Sequence, residues 1–219
     1  MNACYECCDR HAEGGSIALI QENADGSSSR HTYAELRDQS AQFAHYLTQQ
    51  GIQTGDIVAG LLPRGHALIV TILGTWRIGA VYQPLFTAFG PKAIEHRMQT
   101  SGAKLVVTDV SNRSKLLEVE QCPAVMTVAD VQGQGLEAGD ADFWRSISSL
   151  STDFAPVMRR ADDPFLMMFT SGTTGLAKPL AVPLRAIVAF QRYMIDAVGL
   201  RAEDSFWNVA DPGWAYGLY

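Results

Sequence analysis

Apolar positions along the chain alternate between extended and helical spacing. A short extended run, "SIALIQE" (16–22), leads through the polar turn "NADGSSSR" into "TYAELRDQSAQFAHYLTQQG". There Leu36, Phe43, Tyr46 and Leu47 recur at near-helical intervals. Thr32 stands at the N-cap position with Glu35 three residues on, a capping box, and Gly51 supplies the stop. "DIVAGLL" (56–62) reads as a buried strand, "GHALIVTILGTWRIG" (65–79) as a largely buried helix, and "AVYQPL" (80–85) as a strand. "GPKAIEHRMQTSG" (90–102) has Pro91 at a helix start and Gly102 at its end, and "KLVVTD" (104–109) is again a strand. Strand, helix and strand in succession predict an α/β fold of layered, mostly parallel β-sheets flanked by helices.

Past residue 128 the pattern weakens. "ADVQGQGLEAGDAD" (129–142) reads as a surface loop, and its Gly-x-Gly lacks the third glycine of a dinucleotide fingerprint. "DFWRSISSL" (142–150) reads as a short helix and "PFLMMF" (164–169) as a strand. A helix over roughly 184–199, with Ile187, Phe190, Met194 and Ile195 on its apolar face, is expected to pack on the sheet. No internal repeat interrupts this order.

Composition narrows the function. With 47% hydrophobic and 18% charged residues in 219, the chain is able to bury a sizeable core. A net charge of −6 offers no basic stripe for nucleic acid. "ALIVTILGTW" (67–76), bounded by His66 and Arg77, is too short to span a bilayer, and "MNACYECCDRHAEGG" has no secretion-signal pattern. A cytoplasmic protein is the expectation. Cys4, Cys7, Cys8 and His11 share one face if a single helix carries them, a zinc-like donor set. Adjacent cysteines cannot both point at one ion, so a buried helical face using Cys as a small hydrophobe is favoured.

Chemistry concentrates in "LMMFTSGTTGLAKPL" (166–180). Gly172 and Gly175 let the backbone turn tightly, and successive N–H groups in such a bend form a concave anion site. Thr170, Ser171, Thr173 and Thr174 add hydroxyl donors and Lys178 adds a cation, a set suited to polyphosphate oxygens. The spacing is not that of a Walker loop, nor of a nucleophile elbow. A solvated hairpin loop is the bland alternative.

"FTSGTTGLAK" resembles the phosphate-binding motif of the adenylate-forming (AMP-binding) superfamily. "TYAELRDQSAQFAHYLTQQGIQTGDIVAGLLPR", "ILGTWRIGAVYQPLFTAFGPKAIEHRMQTSGAKLVVTD" and "DPGWAYGLY" resemble successive blocks of it, with acyl-CoA synthetases of the acetyl- and medium-chain type nearest. The resemblance implies that a carboxylate attacks the α-phosphate of ATP, and that the thiol of coenzyme A then displaces AMP. It implies that Thr170, Ser171, Gly172, Thr173, Thr174, Gly175 and Lys178 hold phosphates with Mg2+, and that Trp214, Ala215 and Tyr216 border the pocket for a small carboxylic acid. It further implies a first α/β subdomain over 1–160, with the phosphate strand and the start of the acyl pocket over 161–219.

Two departures stand out: Pro179 directly after Lys178, where relatives carry glycine, and Leu184, where many carry a polar residue. The family's catalytic residues and C-terminal domain are expected beyond Tyr219, so residues 1–219 alone are expected to be an inactive N-terminal piece. The alternative is a non-catalytic nucleotide- or partner-binding module derived from that fold.

Overall fold

The structure, a computed structural model, describes residues 1–130, 133–170 and 176–214. Near the N-terminus β1 (Ile17–Glu22) and β2 (Ser28–Thr32) form an antiparallel hairpin. β2 replaces part of the expected turn. Its "SSRHT" has no apolar alternation, so only pairing with β1 makes it a strand.

The main sheet contains β3 (Ile57–Leu61), β4 (Val81–Pro84), β5 (Leu105–Asp109), β6 (Ala124–Val128), β7 (Ala141–Asp142), β8 (Pro164–Thr170) and β9 (Lys178–Pro183). Their order is β7-β6-β5-β3-β4-β8-β9, parallel throughout except for the β8–β9 pair. The helices are α1 (Ala3–Cys7), α2 (Tyr33–Gln49), α3 (His66–Arg77), α4 (Pro91–Ser101), α5 (Val110–Leu116), α6 (Phe143–Ile147) and α7 (Ala186–Tyr193). The β3–α3–β4 connection runs one way along the sheet and β5–α5–β6 the other. The carboxyl edge beside β3 and β5 is therefore a topological switch point.

Two cores follow from strand alternation. Val58, Leu105, Val107 and Leu166 meet Leu36, Phe43, Leu47, Leu68 and Leu73 of α2 and α3 on one face. Ala59, Leu61 and Val106 meet Ile94 and Met98 of α4 and Leu116 of α5 on the other. Burial on both faces explains why these strands read as continuous apolar runs. The capping box of α2 is present: Thr32 Oγ1 accepts from the Glu35 N–H at 3.1 Å, and Glu35 accepts from the Thr32 N–H at 2.7 Å. α4 starts on Pro91 and ends at Gly102 in the left-handed region.

Elsewhere the expectations needed correction. α5 and β6 were not foreseen, because "VSNRSKL" and "AVMTV" are short and weakly periodic. The N-terminal cysteines do not share one helical face. α1 stops at Cys7 and His11 belongs to a separate 3₁₀ turn. Cys4 and Cys8 are buried and Cys7 is exposed. Burial pushes the Cys8 thiol up to about 12, as befits a small apolar packing group. Among the described residues no group of three or more His, Cys, Asp or Glu is placed to hold a metal ion. α7 packs through Ile187 and Phe190, but Ile195 is exposed. A π-helical turn follows over Met194–Val198, and Met194 still lines the apolar cavity beside Ile187 and Phe190. Leu184 is buried in the core. No helix among the described residues is long and apolar enough to cross a membrane.

Candidate functional site

β8 runs parallel to β4 and ends at Thr170 on the carboxyl edge of the sheet, and β9 returns antiparallel from Lys178. The ladder puts Thr170 directly opposite Lys178, with the Thr170 hydroxyl 3.5 Å from the Lys178 carbonyl oxygen. Both residues are exposed. Among the described residues no carboxylate forms a salt bridge with Lys178. Ser171, Gly172, Thr173, Thr174 and Gly175 lie outside the described residues, as do Ala215 and Tyr216.

A second part of this edge is built by the segment after β4. The Leu85 N–H donates to the Gly60 carbonyl at 2.8 Å, and Phe86, Thr87 and Phe89 follow. The Thr87 hydroxyl donates to Asp211 at 2.9 Å, and the other Asp211 oxygen accepts from the Gly213 N–H at 2.7 Å. Lys115 donates to the Thr87 carbonyl and, at 2.8 Å, to Asn112. Gly213 lies so close to this segment that a β-carbon there would sit 2.3 Å from Phe86 Cα. Only glycine fits. The turn 211–214 is thereby pressed onto the β4 segment, and the Trp214 ring reaches Phe86 and Phe89 at centroid distances of 5.6 and 6.3 Å. Beneath it Tyr82 is fully buried, its hydroxyl over Gly60. Burial, then the nearby Asp211 charge, pushes its phenol far above the usual range.

α4 joins the two parts. The Arg97 guanidinium lies 4.0 Å over the Phe89 ring and 5.7 Å over the Phe169 ring. Partial burial lowers its pKa from the ordinary value. His96 Nε2 lies 2.9 Å from the Ala177 carbonyl oxygen, and its ring meets Phe169 edge-on at 6.4 Å. A chain of rings and one cation thus runs from Trp214 through Phe89 and Arg97 to Phe169, the residue before Thr170. Sequence reasoning singled out Thr170, Lys178 and Trp214 but passed over Phe86, Phe89, His96, Arg97 and Asp211. The Phe-x-x-Phe run directly before the helix-starting Gly90–Pro91 was the available signal.

Two sizeable cavities among the described residues lie elsewhere. One of about 360 Å³ opens at the switch point beside His31, His66, Asp109 and Trp144. The other, about 520 Å³ and largely apolar, separates α7 from Trp76, Tyr33 and Ile72. Neither is lined by Thr170, Lys178 or Trp214.

The sequence profile of the AMP-binding enzyme family matches residues 8–219. The chain is 32% identical over 240 residues to acetyl-coenzyme A synthetase of Pseudoalteromonas translucida (strain TAC 125), covering 99% of this chain and 37% of that protein. To the acetyl-coenzyme A synthetase of Chromobacterium violaceum it is 33% identical over 243 residues, covering 99% and 36%. Among solved structures, an acyl-CoA synthetase of Brucella canis superposes with a TM-score of 0.95 at 57% identity, covering all of this chain and 40% of that one. ATP-bound MatB from Rhodopseudomonas palustris superposes at 0.82 with 26% identity, covering 100% and 42%. The chain therefore spans a little over a third of the length of the curated relatives it matches.

Proposed function

The chain belongs to the AMP-binding enzyme family, and from that premise we propose that it carries the phosphate-binding part of an ATP-dependent acyl-CoA synthetase. In this reading a carboxylic acid and ATP give an acyl-adenylate and pyrophosphate, and coenzyme A then releases AMP as the thioester forms. The observation that carries it is the β8–β9 ladder. It sets Thr170, at the carboxyl edge of a parallel sheet, opposite Lys178, which forms no salt bridge among the described residues; the hydroxyl- and glycine-rich sequence 171–175 joins the two.

The bend from Thr170 to Lys178 grips the β- and γ-phosphates. Its donors stabilise the charge that grows on pyrophosphate as the carboxylate displaces it. Lys178 neutralises the leaving group and Thr170 orients it. For magnesium, this edge offers the Thr170 hydroxyl. Asp211 is already engaged by Thr87 and Gly213, so phosphate oxygens would supply most of the ligands. Magnesium would add charge neutralisation at the phosphates. Trp214, with Ala215 and Tyr216, forms the first wall of the acid pocket, its indole held by Phe86 and Phe89. Residues 1–219 do not complete the reaction alone.

The test is carboxylate-dependent ATP–pyrophosphate exchange by the full encoded protein over acids of increasing chain length. Lys178→Ala is expected to slow exchange by about 10²-fold, the scale for loss of one charged group at a transition state. Exchange unchanged in that variant removes Lys178 from its assigned role. Thioester formation by purified residues 1–219 would refute the assignment of an incomplete site.

A further inference from the structure

We infer that His96 is a positioning residue that fixes the exit of the phosphate bend through the carbonyl of Ala177. This rests on the phosphate reading of that bend. A carbonyl oxygen only accepts, so the 2.9 Å contact requires the proton on His96 Nε2. Nδ1 is then free to accept from the Thr100 hydroxyl, which lies 3.4 Å away. The imidazole is thereby held from both nitrogens.

α4 is a firm base for such a hold. It starts on Pro91, ends at Gly102, and anchors Ile94 and Met98 in the second core. The same helix also touches the chain before the bend. His96 packs edge-on against Phe169, and Arg97 lies over that ring and over Phe89. One helix therefore braces both shoulders, Phe169 on the way in and Ala177 on the way out.

The ladder alone is weak at this end. Pro179 stands opposite Phe169 and has no N–H to contribute, and the last pair, Thr170 with Lys178, is exposed. A bond from outside the hairpin to the Ala177 carbonyl adds a restraint at the end where Pro179 has no N–H to give. It sets where Lys178 begins β9, and so where its charge is presented. The effect reaches the nucleotide through the bend rather than by contact.

Two substitutions separate this role from a general structural one. His96→Phe keeps a ring edge against Phe169 and loses the donor, whereas His96→Gln keeps an N–H of similar reach. In pyrophosphate exchange by the full encoded protein, His96→Phe is expected to raise KM for ATP about tenfold, the scale of one hydrogen bond. Its kcat should stay within about twofold and its thermal midpoint should not move, and His96→Gln should restore KM to near wild type. An unchanged KM in His96→Phe, equal impairment in both variants, or loss confined to kcat and thermal midpoint overturns the inference.

If the wild-type protein shows no exchange, the phosphate reading falls and the brace is judged by amide hydrogen exchange in residues 1–219. Faster exchange over Leu176–Leu180 in His96→Phe, but not in His96→Gln, supports the brace. Identical exchange in all three proteins refutes it.

Discussion

His66, the first residue of α3, is stacked on His31 at 3.7 Å between ring centroids and packs against Trp144 at 4.8 Å. Its Nε2 reaches Gln39 Oε1 at 2.6 Å, a contact that needs the proton on that nitrogen. Burial, then the neighbouring His31, pushes the His66 pKa down to about 4, and Glu35 only partly offsets this. The folded state therefore prefers the neutral ring. Between the ordinary value near 6.5 and about 4, the unfolded chain binds a proton that the native chain excludes. Stability falls as pH drops through that window and this contribution levels off below it, a loss on the order of 2–3 kcal/mol. Urea midpoints at pH 7 and pH 4.5 should converge more in His66→Phe than in wild type. Equal drops in the two proteins would show that another group carries the effect. Charge buried elsewhere is treated differently. Arg77 is almost fully enclosed and donates to Asp9 at 2.5 Å, Ser40 at 3.0 Å and the Phe154 carbonyl at 2.9 Å, so its guanidinium has partners in several directions. Asp140 illustrates the same balance for an acid. Burial raises its pKa, but bonds from Arg113, Thr127 and the Glu137 N–H outweigh it and hold the carboxyl below its ordinary value.

Between elements, the close approach of α2 and α3 depends on one missing side chain. A β-carbon at Gly74 of α3 would lie 2.6 Å from Phe43 Cδ1 and 2.9 Å from the Ser40 carbonyl oxygen of α2. Alanine is the better helix former by about 1 kcal/mol, so an exposed glycine-to-alanine change in a helix would stabilise. Here the clash includes backbone, which cannot swing aside, and Gly74→Ala is expected to destabilise by a net ~1–3 kcal/mol. Denaturant unfolding measures the balance, and a variant as stable as wild type would mean that α2 and α3 separate without penalty. The sequence announced both helices, α2 by its helical spacing and the Thr32–Glu35 box and α3 as a largely buried apolar run. It gave no sign that Gly74 was a contact, because close approach is a property of the pair. The same limit hid α5 and β6, whose short sequences gain their structure from the β5 edge they join. At the candidate site, the candidates Thr170 and Lys178 were legible from residue type and spacing, and Trp214 only through the family resemblance. His96 and Arg97 were not, since on α4 they look like an ordinary solvated face until β8 and β9 are folded beside them.

Across the whole molecule, the position of the candidate site depends on a long return. After α6 the chain must travel from the β7 edge back past the centre of the sheet to lay β8 beside β4. The connection over 148–163 carries little regular structure, so its backbone polar groups are met by side chains from elsewhere. Gln42 donates to the Ser148 and Leu150 carbonyls, each at 3.1 Å, and His45 Nε2 reaches the Asp153 carbonyl at 2.8 Å. Arg77 donates to the Phe154 carbonyl, and the Val157 N–H donates to the Arg77 carbonyl at 2.8 Å. Asn2 completes the set. Its amide donates to the Trp76 and Val157 carbonyls at 2.7 and 2.8 Å, while its oxygen caps α1 through the Cys4 N–H at 2.9 Å. It is buried, so removing the amide takes the side-chain donor from the Val157 carbonyl as well as the cap from α1; the Trp76 carbonyl keeps the Gly79 N–H at 3.0 Å. Asn2→Ala should therefore lower stability by ~2–4 kcal/mol. The loss belongs to the molecule and not to α1, because the bond to Val157 ties the first turn of the chain to the approach of β8. Amide exchange should accelerate over Phe165–Met168 as well as over the first ten residues. Faster exchange confined to α1, with β8 protected as in wild type, would mean that the return is held by α2 and α3 alone. In that case the N-terminal segment has no part in placing Thr170 at the carboxyl edge.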